Sequence, residues 1–322
     1  MILFCRGFIV KVSVIVPTWR RTADLARCVA ALCAQTRRVD QLVVVVRTED
    51  HDALRWLEAL QKMPDGTPLR VALVREPGVV AAYNRGIETS TGDLVCFTDD
   101  DAAPHADWVE RIVAAFAKDP LLGGLGGRDI VHERNGILTG EKQTVGLVSW
   151  YGRAVGNHHI GAGAPRNVQV LKAVNMAFRR EAIGPVRFDP RLRGSGAQVH
   201  CEMAFCLDVM RRGWKLVYDP TLLVEHYPAQ RSDEDQRYTF NDTAFYNASF
   251  NLRLIMCEHL PPFGRGMFVV YASLIGNRAD PGLARALSLV LAGESLKIAL
   301  RKWWVGLRAM RGAWREAVRQ AQ

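Results

Sequence analysis

Short runs of β-branched residues alternate with amphipathic stretches along the first third of the chain. VSVIV at residues 12–16 is apolar apart from Ser13 and stops at Pro17, a pattern that predicts a buried strand; residues 22–34 follow with Leu25, Val29 and Leu32 at helical spacing. LVVVV (42–46), VALV (71–74) and DLVCFT (93–98) predict three more strands. Residues 52–60, 80–87 and 106–117 predict the helices between and after them. Strands of four to six residues with no polar face, separated by helices, indicate a mostly parallel, doubly wound sheet with helices on both faces.

After Gly123 the texture changes. GGLGGRD (123–129) and GNHHIGAGAP (156–165) read as long loops, which usually wrap a ligand or lie over a sheet. A structured segment runs from Val168 to His226, with a helix expected over 201–212 and strands over 215–218 and 222–225. From Tyr238 onward the chain reads as helices, broken at Pro261–Pro262 and at residues 280–282. The expected organisation is an α/β half at 1–122, a second half of the same domain at 123–230, and a helical extension at 231–322.

Composition narrows the class. The 322 residues are 49% apolar and 23% charged, with 27 Gly and 14 Pro spread along the chain, which excludes disorder, collagen and coiled coil. No apolar run approaches the ~20 residues that span a bilayer. The first 17 residues carry Arg6 and Lys11 with no small-residue cleavage signal, so the expected location is cytoplasmic. Seven cysteines without a CxxC pair read as free thiols in a reducing compartment. The net charge of +9 is uneven: from Asn241 onward eleven Lys and Arg face five Asp and Glu. That basic surplus is terminal and helical, not interleaved with aromatics across a face, which argues against a nucleic-acid partner and for an anionic surface.

The sharpest chemical feature is FTDDDAAP (97–104), three carboxylates at the carboxyl end of a buried strand. In open α/β sheets ligands bind at that edge. Adjacent acids there repel one another unless a cation offsets them, and hard oxygen donors suit Mg²⁺ or Mn²⁺. Asp99 and Asp101 alternate along an extended backbone and so share one side. The competing reading is a solvated acidic turn that caps the next helix.

VSVIVPTWRR, NRGIETSTGDLVCFTDDDAAP and GAQVHCEMAFCLDVMRRGWKLVYDPTLLVEH, in that order, resemble a family 2 glycosyltransferase with a GT-A fold, over about residues 11–226. The resemblance implies transfer of a sugar from a nucleotide-diphosphate donor to a glycan or lipid-linked acceptor hydroxyl, with inversion at the anomeric carbon. Carried onto this chain, it places Pro17 and Thr18 on the nucleotide pocket and Asn84 and Gly86 beside the donor. Asp99 and Asp101 match the outer positions of the family's DxD, which bind the metal, with Asp100 between them on the donor side. Glu202, eleven residues before Gly213, stands where the family has its general base. His226 matches the histidine after the last strand, which reaches metal or diphosphate, and Arg231 would neutralise the leaving diphosphate. Two positions depart from the pattern. Arg47, Thr48 and Glu49 replace an Asp pair that recognises the base, which leaves Arg47 for the nucleotide. HCEM replaces a Glu-Asp pair, which leaves Glu202 as sole base.

Independently of the resemblance, Glu202 borders an apolar stripe with Cys206 and Val209 in the first turn of its helix. Apolar surroundings raise a carboxyl pKa while a helix N-terminus lowers it, which suits a tunable base. Its competing reading is a first-turn Glu that merely complements the helix dipole. His158 and His159 are candidate phosphate or acceptor contacts, and Asn175 and Arg193 are candidate acceptor- or sugar-side groups. A nucleotidyltransferase making nucleotide sugars is an alternative, but PTWRRTADL lacks the glycine-rich phosphate loop that it would need. A non-catalytic basic membrane-surface protein is the other.

The last helix speaks through periodicity. At roughly 100° per residue, Leu296, Leu300, Trp303, Leu307, Met310, Trp314 and Val318 share one face, and Lys297, Arg301, Arg308, Arg311, Arg315 and Arg319 another. Such a helix suits the headgroup boundary of an anionic membrane, which predicts peripheral attachment at the inner face of the cell membrane. The competing reading packs Trp303 and Trp314 against the rest of the protein.

Overall fold

The computed structural model describes residues 10–60, 63–230, 233–236 and 240–320. The first third follows the predicted alternation: β1 (Val12–Thr18), α1 (Thr22–Cys33), β2 (Gln41–Arg47), α2 (His51–Leu60), β3 (Leu69–Val74), α3 (Val79–Thr89) and β4 (Leu94–Phe97). Next come β5 (Ala102–Pro104), α4 (Trp108–Lys118), β6 (Leu122–Glu133), β7 (Gly136–Ile137), and a hairpin of β8 (Leu147–Val148) and β9 (Ala154–Val155). The middle closes with β10 (Arg166–Val168), β11 (Met176–Arg179), α5 (Arg180–Ile183), α6 (Cys201–Arg211) and β12 (Lys215–His226). The helical part holds α7 (Asp242–His259), α8 (Pro262–Val270), α9 (Leu283–Leu291) and α10 (Leu296–Gln320), with a π-helical turn at Tyr271–Ile275.

One ten-stranded sheet runs β10-β12-β6-β11-β4-β1-β2-β3, with β5 and β7 off this path. β1 pairs in parallel with both β2 and β4, while β11 is antiparallel to β4 and to β6. Side chains on β1 alternate between the two faces. Val12, Val14 and Val16 join the core under α1, α2 and α4, and Ile15 joins the core under α3, α6 and α7. β3 lies at the edge, so Val71 and Leu73 are exposed where the sequence predicted burial on both faces.

Two expectations are corrected. GGLGGRD is not a loop but the core of β6, and its glycines are there because side chains press against the backbone. A Cβ on Gly124 would come within 2.7 Å of the Phe178 ring, and one on Gly127 would collide with the Leu222 carbonyl. The two strands expected over 215–225 are one, β12, kinked by a register shift between Asp219 and Leu223. The strand β6 also begins at Leu122, so the two α/β halves share an element as well as a sheet.

The helices of the extension are latched to one another. α10 lays a face of small residues, Ala299, Gly306, Ala309 and Ala313, on α7. Arg253 on α7 is 2% exposed and reaches Asp280 through two hydrogen bonds of 2.6 and 3.1 Å. A Cβ on Gly306 would sit 2.9 Å from that guanidinium. The apolar stripe read from the sequence is therefore split. Met310 is buried and Trp303 is half-buried, donating its indole N–H to the Ser273 carbonyl (2.9 Å), whereas Leu296, Leu300, Trp314 and Val318 stay exposed. Among the described residues no helix is long and apolar enough to cross a membrane.

Candidate active site

The sheet reverses its strand order between β1 and β4, and the crevice at their carboxyl ends is where such folds bind ligands. β1 ends there in Thr18 and β4 is followed by Asp99, Asp100 and Asp101. The aspartates do not run extended as expected. The chain turns, with the Ala102 amide bonded to the Asp99 carbonyl at 3.2 Å, and the turn still brings Asp99 and Asp101 together.

Each carboxylate has its own partner. Thr18 donates its hydroxyl to Asp100 at 2.8 Å and Arg21 donates to the other oxygen at 3.0 Å. Tyr83 donates to Asp99 at 3.2 Å. Asp101 accepts the Ala229 amide at 2.9 Å on one oxygen, while its Oδ1 is buried and accepts no hydrogen bond from the described residues. Burial raises the Asp99 carboxyl, with Asp101 adding to it, and burial pushes Asp100 up to about 7 against the opposing pull of Arg21. Among the described residues, Arg21 is the arginine bonded to the cluster.

His226, at the end of β12, meets the cluster from the far side. Its Nδ1 lies 3.2 Å from Asp129 Oδ2 and its Nε2 lies 3.5 Å from Asp101 Oδ1. Lys172 also bonds Asp129. Although burial works to raise it, His226 and Lys172 hold the Asp129 carboxyl well below the usual range. An ionised Asp129 accepts the Nδ1–H hydrogen bond, which leaves Nε2 turned to the orphaned Asp101 oxygen, an arrangement that suits a cation between them. Ligand atoms of Asp99, Asp101 and His226 lie within 4.8 Å of one another. Two carboxylates and one imidazole are donors that fit Mn²⁺ or Mg²⁺.

The three aspartates face a cavity of about 190 Å³. Pro17, Thr18, Arg47, all three aspartates and Glu202 line it. The Arg47 guanidinium lies over the Trp19 ring, 4.0 Å from its centroid, and its Nε is buried without a hydrogen-bond acceptor. Glu202 is in the first turn of α6. The residue before the helix, Cys201's neighbour His200, has a left-handed backbone (φ 77°), and so does Gln198 (φ 40°). Gln198 accepts the Val80 amide at the start of α3 (2.9 Å) and donates to the Leu192 carbonyl (2.6 Å), which pins the loop that delivers Glu202. Burial raises the Glu202 carboxyl, with Asp99 adding to it. Glu202 also lines a second cavity of about 420 Å³, which none of the three aspartates lines.

Several predicted residues stand elsewhere. Asn84 spends both ends of its amide on the Phe188 backbone, at 2.8 Å each, and does not line the cavity. Gly86 is a packing glycine, since a Cβ there would strike Ile15. Asn175 is a buried hub that accepts the Trp108 indole N–H and donates to the Arg128 and Leu222 carbonyls. Arg193 lies over the Phe250 ring at 3.9 Å, tying the loop to α7. His158 lines the second cavity, its Nε2 2.9 Å from the Val170 carbonyl, and burial holds it near 4. His159 is half-buried and lines neither cavity. Arg231 lies outside the described residues. The sequence reading missed Trp19, Arg21, Tyr83, Asp129 and Lys172. Trp19 and Arg21 follow the strand-like VSVIV in the PTWRR already singled out, which was the available signal for them, whereas Asp129 ends GGLGGRD, which read as a loop.

The model of the family described as Glycosyl transferase family 2 matches residues 13–184, more than half of the chain. Glycosyltransferase AglE of Haloferax volcanii is 28% identical over 191 residues, 59% of each chain. The glucosyl-dolichyl phosphate glucuronosyltransferase of the same organism is 30% identical over 122 residues, 36% of this chain and 37% of that one. The chain thus spans less than two thirds of either relative. Among solved structures, GalNAc-T7 with UDP, GalNAc and Mn²⁺ superposes with a TM-score of 0.61 at 16% identity, covering 90% of this chain and 56% of that one. S. aureus TarS 1–349 in complex with UDP-GlcNAc gives 0.59 at 13% identity, covering 94% and 81%. The shared fold is of the GT-A type.

Proposed function

The chain belongs to glycosyl transferase family 2, and we propose that it moves a sugar from a nucleotide-diphosphate donor to an acceptor hydroxyl by a single in-line displacement that inverts the anomeric carbon. The observation that carries this reading is the place of Glu202, on the wall of both cavities. A base at that partition serves an acceptor oxygen arriving from one side and a donor held on the other. Taking the acceptor proton as the new bond forms needs no covalent intermediate, and such assistance is typically worth 10²–10⁴-fold.

On the donor side, the Trp19–Arg47 stack offers a platform for the nucleotide base, and Thr18 and Arg21 fix Asp100 beneath it. A divalent cation, Mn²⁺ or Mg²⁺, held by Asp99, Asp101 and His226 would offset charge on the departing nucleoside diphosphate. Support comes from the orphaned Asp101 oxygen and from the UDP and Mn²⁺ named for the GalNAc-T7 structure. Residues 1–122 would then hold the donor, 123–230 the base, and 231–322 a wall of the acceptor side.

The acceptor is a glycan or a lipid-linked sugar, in surface polysaccharide, exopolysaccharide or glycolipid assembly. The name of the glucuronosyltransferase relative, with its dolichyl phosphate, supports the lipid-linked form. The exposed Leu296, Leu300, Trp304, Trp314 and Val318 beside Lys297, Arg308, Arg311 and Arg315 support peripheral attachment to an anionic membrane at its cytoplasmic face.

A screen of nucleotide sugars for Mn²⁺-dependent hydrolysis or transfer tests the reading. One donor turned over by the wild type and not by Glu202→Gln is the expected result. Pyrophosphate release from a nucleoside triphosphate and a sugar phosphate would overturn it in favour of nucleotidyl transfer.

A further inference from the structure

The second cavity differs in character from the first. Val155, Leu171, Met203, Phe245, Leu252 and Ala279 give it aliphatic and aromatic walls, and Glu202 stands among them. Its other ionisable groups are committed or neutral. Lys172 is bonded to Asp129 and Asp280 to Arg253, while burial lowers His158 and His200 to about 4. A glycan is recognised through many hydroxyl contacts, and these walls offer few polar groups for them.

Two of the segments that wall this chamber continue into exposed apolar side chains. The β8–β9 hairpin, which supplies Ala154 and Val155, carries Trp150, 58% exposed and stacked on Phe263, itself 73% exposed. The wall at residues 277–280 follows directly on Leu274 and Ile275, both more than half exposed. A Tyr151–Tyr271 ring contact at 5.2 Å joins the two sides. Exposed apolar groups so grouped are uncommon without a ligand to cover them. Each side also bears an exposed arginine, Arg153 beside Ala154 and Arg278 within the loop.

We infer that this chamber takes an anionic amphiphile as acceptor, its hydroxyl at Glu202, its hydrocarbon along the aliphatic walls and over Trp150, Phe263, Leu274 and Ile275, its phosphate between Arg153 and Arg278. The inference rests on the reading of Glu202 as the base and names the acceptor class for that site. It also gives the extension a direct part in specificity, because α7 and the loop at 277–280 build the chamber's far wall. The Arg253–Asp280 bridge holds that loop in place.

The probe is dihexanoyl phosphatidylglycerol below its micelle concentration, a hydroxyl-bearing anionic amphiphile, titrated calorimetrically into the full chain. It should bind, and glycerol 3-phosphate, which lacks the chains, should not. Ala248→Phe and Ala279→Trp, which fill the chamber from two elements, should each weaken it about tenfold or more, equivalent to roughly 1.4 kcal/mol. Arg153→Ala with Arg278→Ala should weaken it severalfold, and dihexanoyl phosphatidylcholine should bind less well than the anionic lipid. Mn²⁺-dependent nucleoside diphosphate binding, measured on the same samples, should be unchanged and reports that each variant is folded. Chamber-filling variants that bind the lipid like wild type would overturn the inference, as would equal binding of glycerol 3-phosphate. A wild-type chain that binds the nucleotide but not the lipid overturns this inference alone; one that binds the lipid but no nucleotide overturns the donor reading.

Discussion

Asp129 Oδ2 lies 3.2 Å from His226 Nδ1, and that contact decides which nitrogen of the ring faces the acidic cluster. With its proton turned to Asp129, the imidazole offers Nε2 to Asp101, 3.5 Å away. Asp129 belongs to β6 and His226 to β12, two neighbouring parallel strands, so the sheet itself sets the orientation.

This relationship makes Asp129 a positioning residue. Asp129→Asn should lower Mn²⁺ affinity by 10–100-fold, the usual cost of losing a partner that orients a ligating histidine. Calorimetric Mn²⁺ titration in the presence of a nucleoside diphosphate measures it. Unchanged affinity would show that His226 needs no such partner.

Glu202→Gln should keep nucleotide and Mn²⁺ binding while turnover falls by about 10²–10⁴-fold. The amide preserves the shape but accepts no proton. Retention of more than a tenth of the wild-type rate would remove Glu202 as base.

The same carboxyl sets the pH dependence. Burial disfavours its charged form and raises its pKa, and the base acts deprotonated, so activity is lost as pH falls through that raised value. The acid limb of the kcat profile should therefore lie above the ~4.3 of an ordinary glutamate. A limb at or below that value would contradict a buried base.

Trp19 and Arg47 form a stack on the wall of the cavity that the three aspartates line, the proposed donor site. Trp19→Ala should raise the donor KM by about tenfold or more, since an aromatic platform contributes about 1–3 kcal/mol to holding a base, and should change kcat little. Comparable losses in kcat and none in KM would place the base elsewhere.

At Gly306 in the α7–α10 contact a Cβ would sit 2.9 Å from the buried Arg253 guanidinium, which would have to shift. Gly306→Leu should destabilise the protein by about 1–3 kcal/mol through overpacking against Arg253, whereas Trp314→Ser on the exposed face should leave stability within about 0.5 kcal/mol. Chemical denaturation of both variants reads the difference. A neutral Gly306→Leu would mean that α10 is free of α7.

Much of this protein follows from local pattern. The strands at 12–16, 42–46 and 93–98 and the helix at 201–212 are legible because apolar runs and helical spacing act over a few residues. The acidic turn after β4 is legible for the same reason, as is Glu202 in the first turn of α6. Local pattern misread GGLGGRD, because glycine signals a loop in isolation and a tightly packed strand only when Phe178 and Leu222 are known to lie against it. Large side chains likewise drew attention to one face of α10, while the face that docks on α7 is alanine and glycine, which carry little hydrophobic signal but allow helices to approach closely.

What the sequence by itself determined was the alternation of strand and helix, the identity of the acidic cluster and the candidate base. What only the tertiary structure decided was who meets whom. Asp129 and His226 are 97 residues apart and are brought together by strand pairing. Glu202 lines the same cavity as Asp99 because the loop pinned by Gln198 folds back onto α3, and the second cavity exists because α7 and residues 277–280 close over the far side of α6. Such contacts depend on chain reversal over long separations, which no window of neighbouring residues encodes. Asn84 illustrates the other direction: its sequence context pointed to the donor, and the Phe188 backbone, 104 residues on, took both ends of its amide.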